Sequence, residues 1–174
     1  MQKIPTMFVR DDSRPGHPVI DEWKPECLWV HAGDGMATVK MDGTNVKVEH
    51  GRLLKRQKPK DRDYDNAAYV PCHRDNPSDR WAWEAFDATT HDDGIFELVG
   101  PKIQGNVHGF STHHLIRVVP PSDRLIISEP IERTFTGLRE YLTMNAIEGV
   151  VFHHPDGRLA KIKRRDFGLP WPPK

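Results

Sequence analysis

An α+β fold built on antiparallel sheets is what this sequence predicts, on three observations. Short runs with strand-like alternation recur along the chain, separated by turn residues. Two of those separations, His50-Gly51 and Pro155-Asp156-Gly157, are hairpin signals. Helical periodicity is confined to two stretches that are scattered among the strands, whereas a doubly wound fold would alternate them regularly.

The elements follow in order. Pro5, Pro15, Pro18 and Pro25 interrupt residues 1–30 and predict a lead-in of short strands or loop. Residues 38–48 read as one strand. His50-Gly51 joins runs 45–49 and 52–57 into a hairpin, which sets Arg56 opposite Asn45. The polar stretch 58–76 reads as loop. Asn76-Pro77-Ser78 opens a helix that reaches about Ala88, with Ser78 as its cap and Trp81, Ala85, Phe86 and Ala88 as its apolar stripe. Trp81 and Trp83 belong to the packing of that helix. Residues 94–100 form a mostly buried strand and 105–114 a loop, with Gln104-Gly105-Asn106 either lining a cleft or making a simple turn. Strands at 115–119 and 124–128 surround Pro120-Pro121. Thr134 caps a second helix over 135–145, with Phe135, Leu138 and Leu142 on one face. A last hairpin runs from 149–153 to 159–164.

Composition bounds the function. At 174 residues and 20.0 kDa the chain can bury one ordinary core. Lys and Arg total 25 and so do Asp and Glu, so no global cationic field announces a nucleic acid. The charge is uneven, however. Arg52, Lys55, Arg56, Lys58, Lys60 and Arg62 form one basic run, and Arg158, Lys161, Lys163, Arg164 and Arg165 another. These are two solvated faces, or a phosphate-lined groove if they meet. Two cysteines, Cys27 and Cys72, are too few for a disulfide framework and predict inert buried thiols. Neither has a partner at ligand spacing, so structural zinc is not expected despite ten histidines. With no signal-like or membrane-length apolar run, the expectation is a cytoplasmic protein without a membrane partner.

The chemistry centres on Lys40-Met41-Asp42-Gly43-Thr44-Asn45. It puts a lysine and a carboxylate on one strand face, with Gly43 letting the chain turn behind them. The last hairpin alternates Lys161 and Lys163 onto one face and Ala160 and Ile162 onto the other. It brings Glu148 nearly opposite Lys163, give or take one residue. Lys40, Arg56, Lys161 and Lys163 with Asp42 and Glu148 suit an anionic substrate and a divalent metal. An ammonium is no nucleophile, so Lys40 would have to lose its proton, which Lys161, Lys163 and a bound Mg²⁺ would favour. The amine could then attack the α-phosphate of a nucleotide and expel pyrophosphate, with the cations holding the phosphates. Glu148 or Asp42 would supply oxygen ligands to Mg²⁺, or to Mn²⁺ in its place. Glu97, a carboxylate in an apolar strand, suits a ribose hydroxyl. Lys55 or Arg52 would replace Arg56 if the register slips.

These residues, in this order, resemble the covalent nucleotidyltransferase superfamily of polynucleotide ligases and capping enzymes, its RNA ligase branch most of all. Lys40–Asn45 looks like nucleotidyl motif I, Glu97 in Phe-Glu-Leu-Val-Gly like motif III, Glu148-Gly-Val-Val like motif IV, and Lys161-Ile-Lys163 like motif V. Arg56 sits where the family keeps a phosphate-contacting arginine. The resemblance implies a ligase-like adenylyltransferase fold with a nucleotide cleft. It also implies ATP as substrate, RNA ends or nicks (DNA in a minimal nick ligase) as acceptor, and a lysyl-AMP on Lys40. Lys161 and Lys163 would be catalytic. Family members stack the purine on an aromatic after motif III. Leu115–Val119 has none, which leaves Phe110, His113, His114 or an aliphatic residue. The sequence stops at Trp171-Pro172-Pro173-Lys174, so the expectation is one adenylyltransferase domain over 1–174 without a C-terminal OB-fold, which argues against capping. A catalytically inactive, nucleic-acid-binding scaffold is the reading from another class.

Overall fold

Two backbone preferences build the first hairpin: His50 at φ 51° and Gly51 at φ 71° both take the left-handed conformation that a two-residue turn between twisted strands demands. The computed structural model describes residues 3–57 and 68–173. Lys58, Lys60, Arg62 and the first part of the predicted 58–76 loop lie outside the described residues. The chain divides into two compact units, one of Asp42–Asp123 with Lys3, the other of Ile4–Met41 with residues 124–173.

The first unit is a five-stranded sheet. Its strands are β4 (Thr44–Glu49), β5 (Arg52–Arg56), β6 (Tyr69–Pro71), β7 (Gly94–Val99) and β8 (His114–Val119), in the order β6-β5-β4-β7-β8. One face buries Val46, Val48, Leu53, Phe96, Leu98 and Leu115 against Ala82 and Ala85 of helix α2 (Arg80–Asp87). The other face carries Asn45, Arg56, Tyr69 and Glu97, because β4 pairs Val46 with Lys55 and Asn45 with Glu97, while β5 pairs Arg56 with Tyr69. Pro77 opens a short 3-10 turn before α2, and the cap is Asn76, whose side chain accepts from the Ser78 N–H at 3.0 Å. Ser78 was the expected cap. It lies inside the turn, where its own N–H needs an acceptor.

The second unit holds a three-stranded sheet in the order β10-β9-β3, from β3 (Met36–Val39), β9 (Gly149–His153) and β10 (Leu159–Lys163). A ribbon of β1 (Phe8–Arg10) and β2 (Val19–Trp23), helix α1 (Leu28–His31) and helix α3 (Phe135–Met144) accompany it. Its core contains Phe8, Val30, Leu138, Leu142, Phe152 and Ile162, all at 0% exposure. Each such side chain contributes about 2–3 kcal/mol on burial. The named strands pair antiparallel throughout, as expected, and one isolated parallel bridge joins Thr6 to Lys161.

Three elements differ from expectation. Residues 38–48 are two strands in two sheets, since β3 closes its ladder at Val39↔Val150 and β4 opens its own at Thr44↔Leu98. The predicted strand 124–128 is a 3-10 turn, Asp123–Leu125, followed by a single bridge from Ile126 to Thr38, because β3 is short and offers its edge little length. A strand, β6, occupies part of the predicted loop, pairing with β5 from Leu54↔Pro71 to Arg56↔Tyr69.

Thr134 caps α3 as its sequence indicates, its hydroxyl accepting from the Gly137 N–H at 3.0 Å. Thr134→Ala leaves that donor without its partner, and urea denaturation should show a loss of about 1 kcal/mol with no change of fold.

Candidate active site

β9 is paired on both edges, and this alignment assembles a charged cluster in the second unit. Val39 pairs with Val150, and the Lys40 N–H continues the ladder onto the Gly149 carbonyl at 2.9 Å. Across the other edge Gly149 pairs with Lys163 and Val151 with Lys161. Lys40 and Lys163 therefore share one cross-strand row with Gly149 between them, and Gly149 carries no side chain to part them. Ala160 and Ile162, both at 0% exposure, occupy the core face, as the alternation requires.

Glu148 precedes β9, and its carbonyl accepts from the Arg164 N–H at 2.9 Å. It thus lies opposite Arg164 rather than Lys163, a slip of one residue. Its carboxylate is buried, at 6% side-chain exposure, and accepts from Lys40 Nζ at 2.5 Å; the Lys40 side chain is 19% exposed. Lys40 Nζ also donates to the Met41 carbonyl at 3.2 Å.

Burial lowers the pKa of both Lys161 and Lys163. Burial, with repulsion from Lys40 and Lys163, pulls Lys161 down to about 8, against the opposing pull of Asp166 and Glu148. Lys163 is lowered by burial as well, with Lys40 and Arg165 adding to the effect and Asp166 and Glu148 resisting it. Asp166 is a residue that sequence reading passed over. At 1% exposure it accepts from the Lys163 N–H at 2.8 Å and from Arg10 at 2.5 Å, tying the end of β10 to β1. A carboxylate three residues past Lys163 in Arg-Arg-Asp-Phe-Gly was the available signal.

The first unit holds Asp42, Arg56 and Glu97. Asp42 lies between β3 and β4 and shares no strand with Lys40; its N–H donates to His108 Nε2 at 2.9 Å. Gly43 is needed for close approach rather than for a turn, since a Cβ there would sit 2.4 Å from the Leu98 carbonyl oxygen. Gln104 reaches towards the same segment, its amide nitrogen 3.5 Å from the Gly43 carbonyl, out of a tight turn in which Gln104, Gly105 and Asn106 all have positive φ. Lys55 falls on the core face and pairs with Asp79 at 2.5 Å, whereas Arg52 falls on the polar face at the far end of β5, opposite Glu49, and Arg56 on that same face beside Asn45. There Tyr69 donates to Asn45 Oδ1 at 2.5 Å, and Asn45 Nδ2 lies 3.4 Å from Glu97 Oε1.

Of the candidate base-stacking rings, His113 is committed elsewhere. It is 6% exposed, stacked on Trp81 at 4.6 Å and bonded through Nδ1 to Glu84 at 2.8 Å. Phe110 and His114 remain, with ring centroids 5.2 Å apart, beside the aliphatic Ile116. Cys27 and Cys72 are free and buried, and burial pushes both thiols up to about 11. Among the described residues no group of three or more His, Cys, Asp or Glu side chains could hold a metal ion. Glu148, a buried carboxylate paired with Lys40, is an oxygen donor in this cluster that a hard divalent cation could use. No described helix is long and apolar enough to cross a membrane.

A model of the RNA ligase 1 family matches residues 61–174. That range includes Glu97, Glu148, Lys161 and Lys163, and follows Lys40, Asp42 and Arg56. RNA ligase 1 of Danio rerio is 35% identical over 80 residues, covering 44% of this chain and 25% of the relative. RNA ligase 1 of Pongo abelii is 36% identical over 84 residues, with the same shares. The match thus spans a quarter of the length of these curated relatives.

Lys161 makes stability depend on pH. Its ordinary value is 10.5 and its folded value about 8, so between those limits the unfolded chain holds a proton that the folded chain has released. Stability contributed by Lys161 therefore rises with pH across that window. The difference in unfolding free energy between the native chain and Lys161→Met should shift in favour of the native chain from pH 8 to 10.5, read by urea denaturation at each pH. A difference flat with pH would refute it; the thiols titrate in both proteins and cancel.

Proposed function

Because the chain belongs to the RNA ligase 1 family, we propose that it is an ATP-dependent RNA ligase that joins 5′-phosphate and 3′-hydroxyl ends through a covalent AMP on Lys40. The observation that carries this reading is the Lys40–Glu148 pair at 2.5 Å beside Lys161 and Lys163. The pKa values of Lys161 and Lys163 are lowered by burial and by repulsion from Lys40, with Glu148 and Asp166 resisting. The same cations suit a triphosphate, and an ion pair holds the nucleophile in place until substrate arrives.

In the proposed step, neutral Lys40 Nζ attacks the α-phosphorus. A nitrogen–phosphorus bond forms with loss of one amine proton to solvent, the bond to the bridging oxygen breaks, and pyrophosphate leaves with that electron pair. Lys161 and Lys163 hold the phosphate oxygens and offset the charge that builds on them. Glu148 would hold a divalent cation carried in on the phosphates, which would add charge neutralisation there. Arg56 and Glu97 are proposed as phosphate and ribose ligands, and Asp42 as a second metal ligand. Transfer of AMP to a 5′-phosphate and attack by a 3′-hydroxyl complete the reaction. The ligase-like adenylyltransferase fold and its nucleotide cleft belong to this reading.

The test is covalent labelling. With Mg²⁺ and ATP labelled at the α-phosphate, the chain should retain label through denaturing electrophoresis. Lys40→Ala should reduce the labelling rate by at least about 1,000-fold. Absence of label, or label undiminished in Lys40→Ala, sinks the mechanism and leaves a nucleic-acid-binding scaffold. Labelled GTP tests guanylyl transfer, and nicked RNA against nicked DNA tests the acceptor.

A further inference from the structure

The polar face of the five-stranded sheet carries a row that no motif accounts for. Glu97 pairs with Asn45 across β7 and β4, the β4–β5 register places Arg56 next to Asn45, and Arg56 pairs with Tyr69 across β5 and β6. Four strands thus present Tyr69, Arg56, Asn45 and Glu97 side by side. Three of these coincide with the nucleotide ligands proposed above or their motif; Tyr69 does not.

The hydrogen bonds give the row a direction. An ionised carboxylate only accepts, so the Asn45 edge facing Glu97 must be the amide nitrogen, and that edge is 3.4 Å from Glu97 Oε1. The opposite edge is then Oδ1, which requires a donor, and Tyr69 supplies one at 2.5 Å. Tyr69 is well suited to keep that proton: burial raises its hydroxyl to about 12, a rise that Arg56 opposes and Glu97 reinforces. Lys47, whose ammonium lies 5.8 Å from the Tyr69 ring centroid and 2.5 Å from Glu49, flanks the ring without entering this chain of donors.

We propose that Tyr69 is a positioning residue for nucleotide recognition, acting through Asn45 to hold the Glu97 carboxylate in the orientation that accepts a ribose hydroxyl. The inference rests on the assignment of Glu97 as a ribose ligand. Tyr69 itself touches no substrate. Its hydroxyl fixes the amide of Asn45, the amide engages one carboxylate oxygen, and the carboxylate is thereby aimed. Without the hydroxyl, Asn45 Oδ1 loses its donor and the amide is free to rotate, with no loss of any group that meets the nucleotide.

The measurement is equilibrium binding of α,β-methylene-ATP, which cannot transfer AMP, and of its 2′-deoxy and 3′-deoxy counterparts, by calorimetry. Tyr69→Phe should weaken binding of the ribonucleotide roughly three- to tenfold, the range of one hydrogen bond. It should also shrink the preference over whichever deoxy analogue Glu97→Ala no longer distinguishes. The KM for ATP in lysyl-AMP formation should rise by a similar factor with kcat within about twofold. Asn45→Leu should cause the same loss, and the double variant Tyr69→Phe/Asn45→Leu no further one. Native discrimination in Tyr69→Phe, alongside lost discrimination in Glu97→Ala, would overturn the positioning role while the nucleotide reading stands. So would a loss in Tyr69→Phe equal for all three nucleotides, which would mark a merely structural tyrosine. Native binding and discrimination in Glu97→Ala would overturn the ribose assignment and the positioning role together.

Discussion

The doubly paired backbone of β9 is the constraint on which the charged cluster depends. Its residues Gly149 to Phe152 are buried, and every side-chain neighbour at its start is set by main-chain bonds, not by attraction between charges. Adjacent strands stand about 4.8 Å apart. Two strands that bring lysines to the same end of β9 must therefore crowd them, whatever the electrostatic penalty. Because Gly149 lacks a side chain, nothing in the row comes between Lys40 and Lys163. A chain whose overall charge is zero has by this means collected ammonium groups at one end of one sheet.

That concentration is tolerated because two buried carboxylates lie within it. Glu148 takes Lys40, and Asp166 takes the Lys163 N–H and Arg10. Arg164 is a counterexample on the same segment: it is buried yet, among the described residues, its guanidinium donates to the Leu142, Asn145 and Pro170 carbonyls and to no carboxylate. Five successive positions thus mix charges tuned for solvent or ligand with charges that merely staple the chain. Position on the strand separates them, since residues facing the core must find main-chain acceptors.

Much of this was legible in the sequence where local chemistry decides the outcome. The turns at His50-Gly51 and Pro155-Asp156-Gly157 fixed two hairpins, so Arg56 and the Lys161/Lys163 alternation came out on the expected faces. Glu148 came out opposite Arg164, one residue from Lys163 and inside the range its register allowed, because the length of a turn is softer than its existence. What could not be read was non-local. Residues 38–48 look continuous, and only the partners, Gly149 on one side and Leu98 on the other, show that the ladder changes sheets there. β6 was hidden because three residues of edge strand gain their order from β5, not from their own composition. Tyr69 was missed because it earns its place through Asn45, 24 positions away, and Asp166 because its partner Arg10 lies 156 positions away, although its bond to the Lys163 N–H is local.

Lys40 and Glu148 are separated by 108 positions, and this has a consequence for biosynthesis. On the ribosome, Lys40 emerges long before the strand that will give it a counter-ion, and Lys163 comes later still. The nascent chain thus carries the candidate nucleophile without its electrostatic setting until β9 and β10 have been made. For the nucleophile proposed above, the electrostatic setting is complete only once β10 has joined the sheet, so a product cleaved before β10 retains the lysine but not that setting.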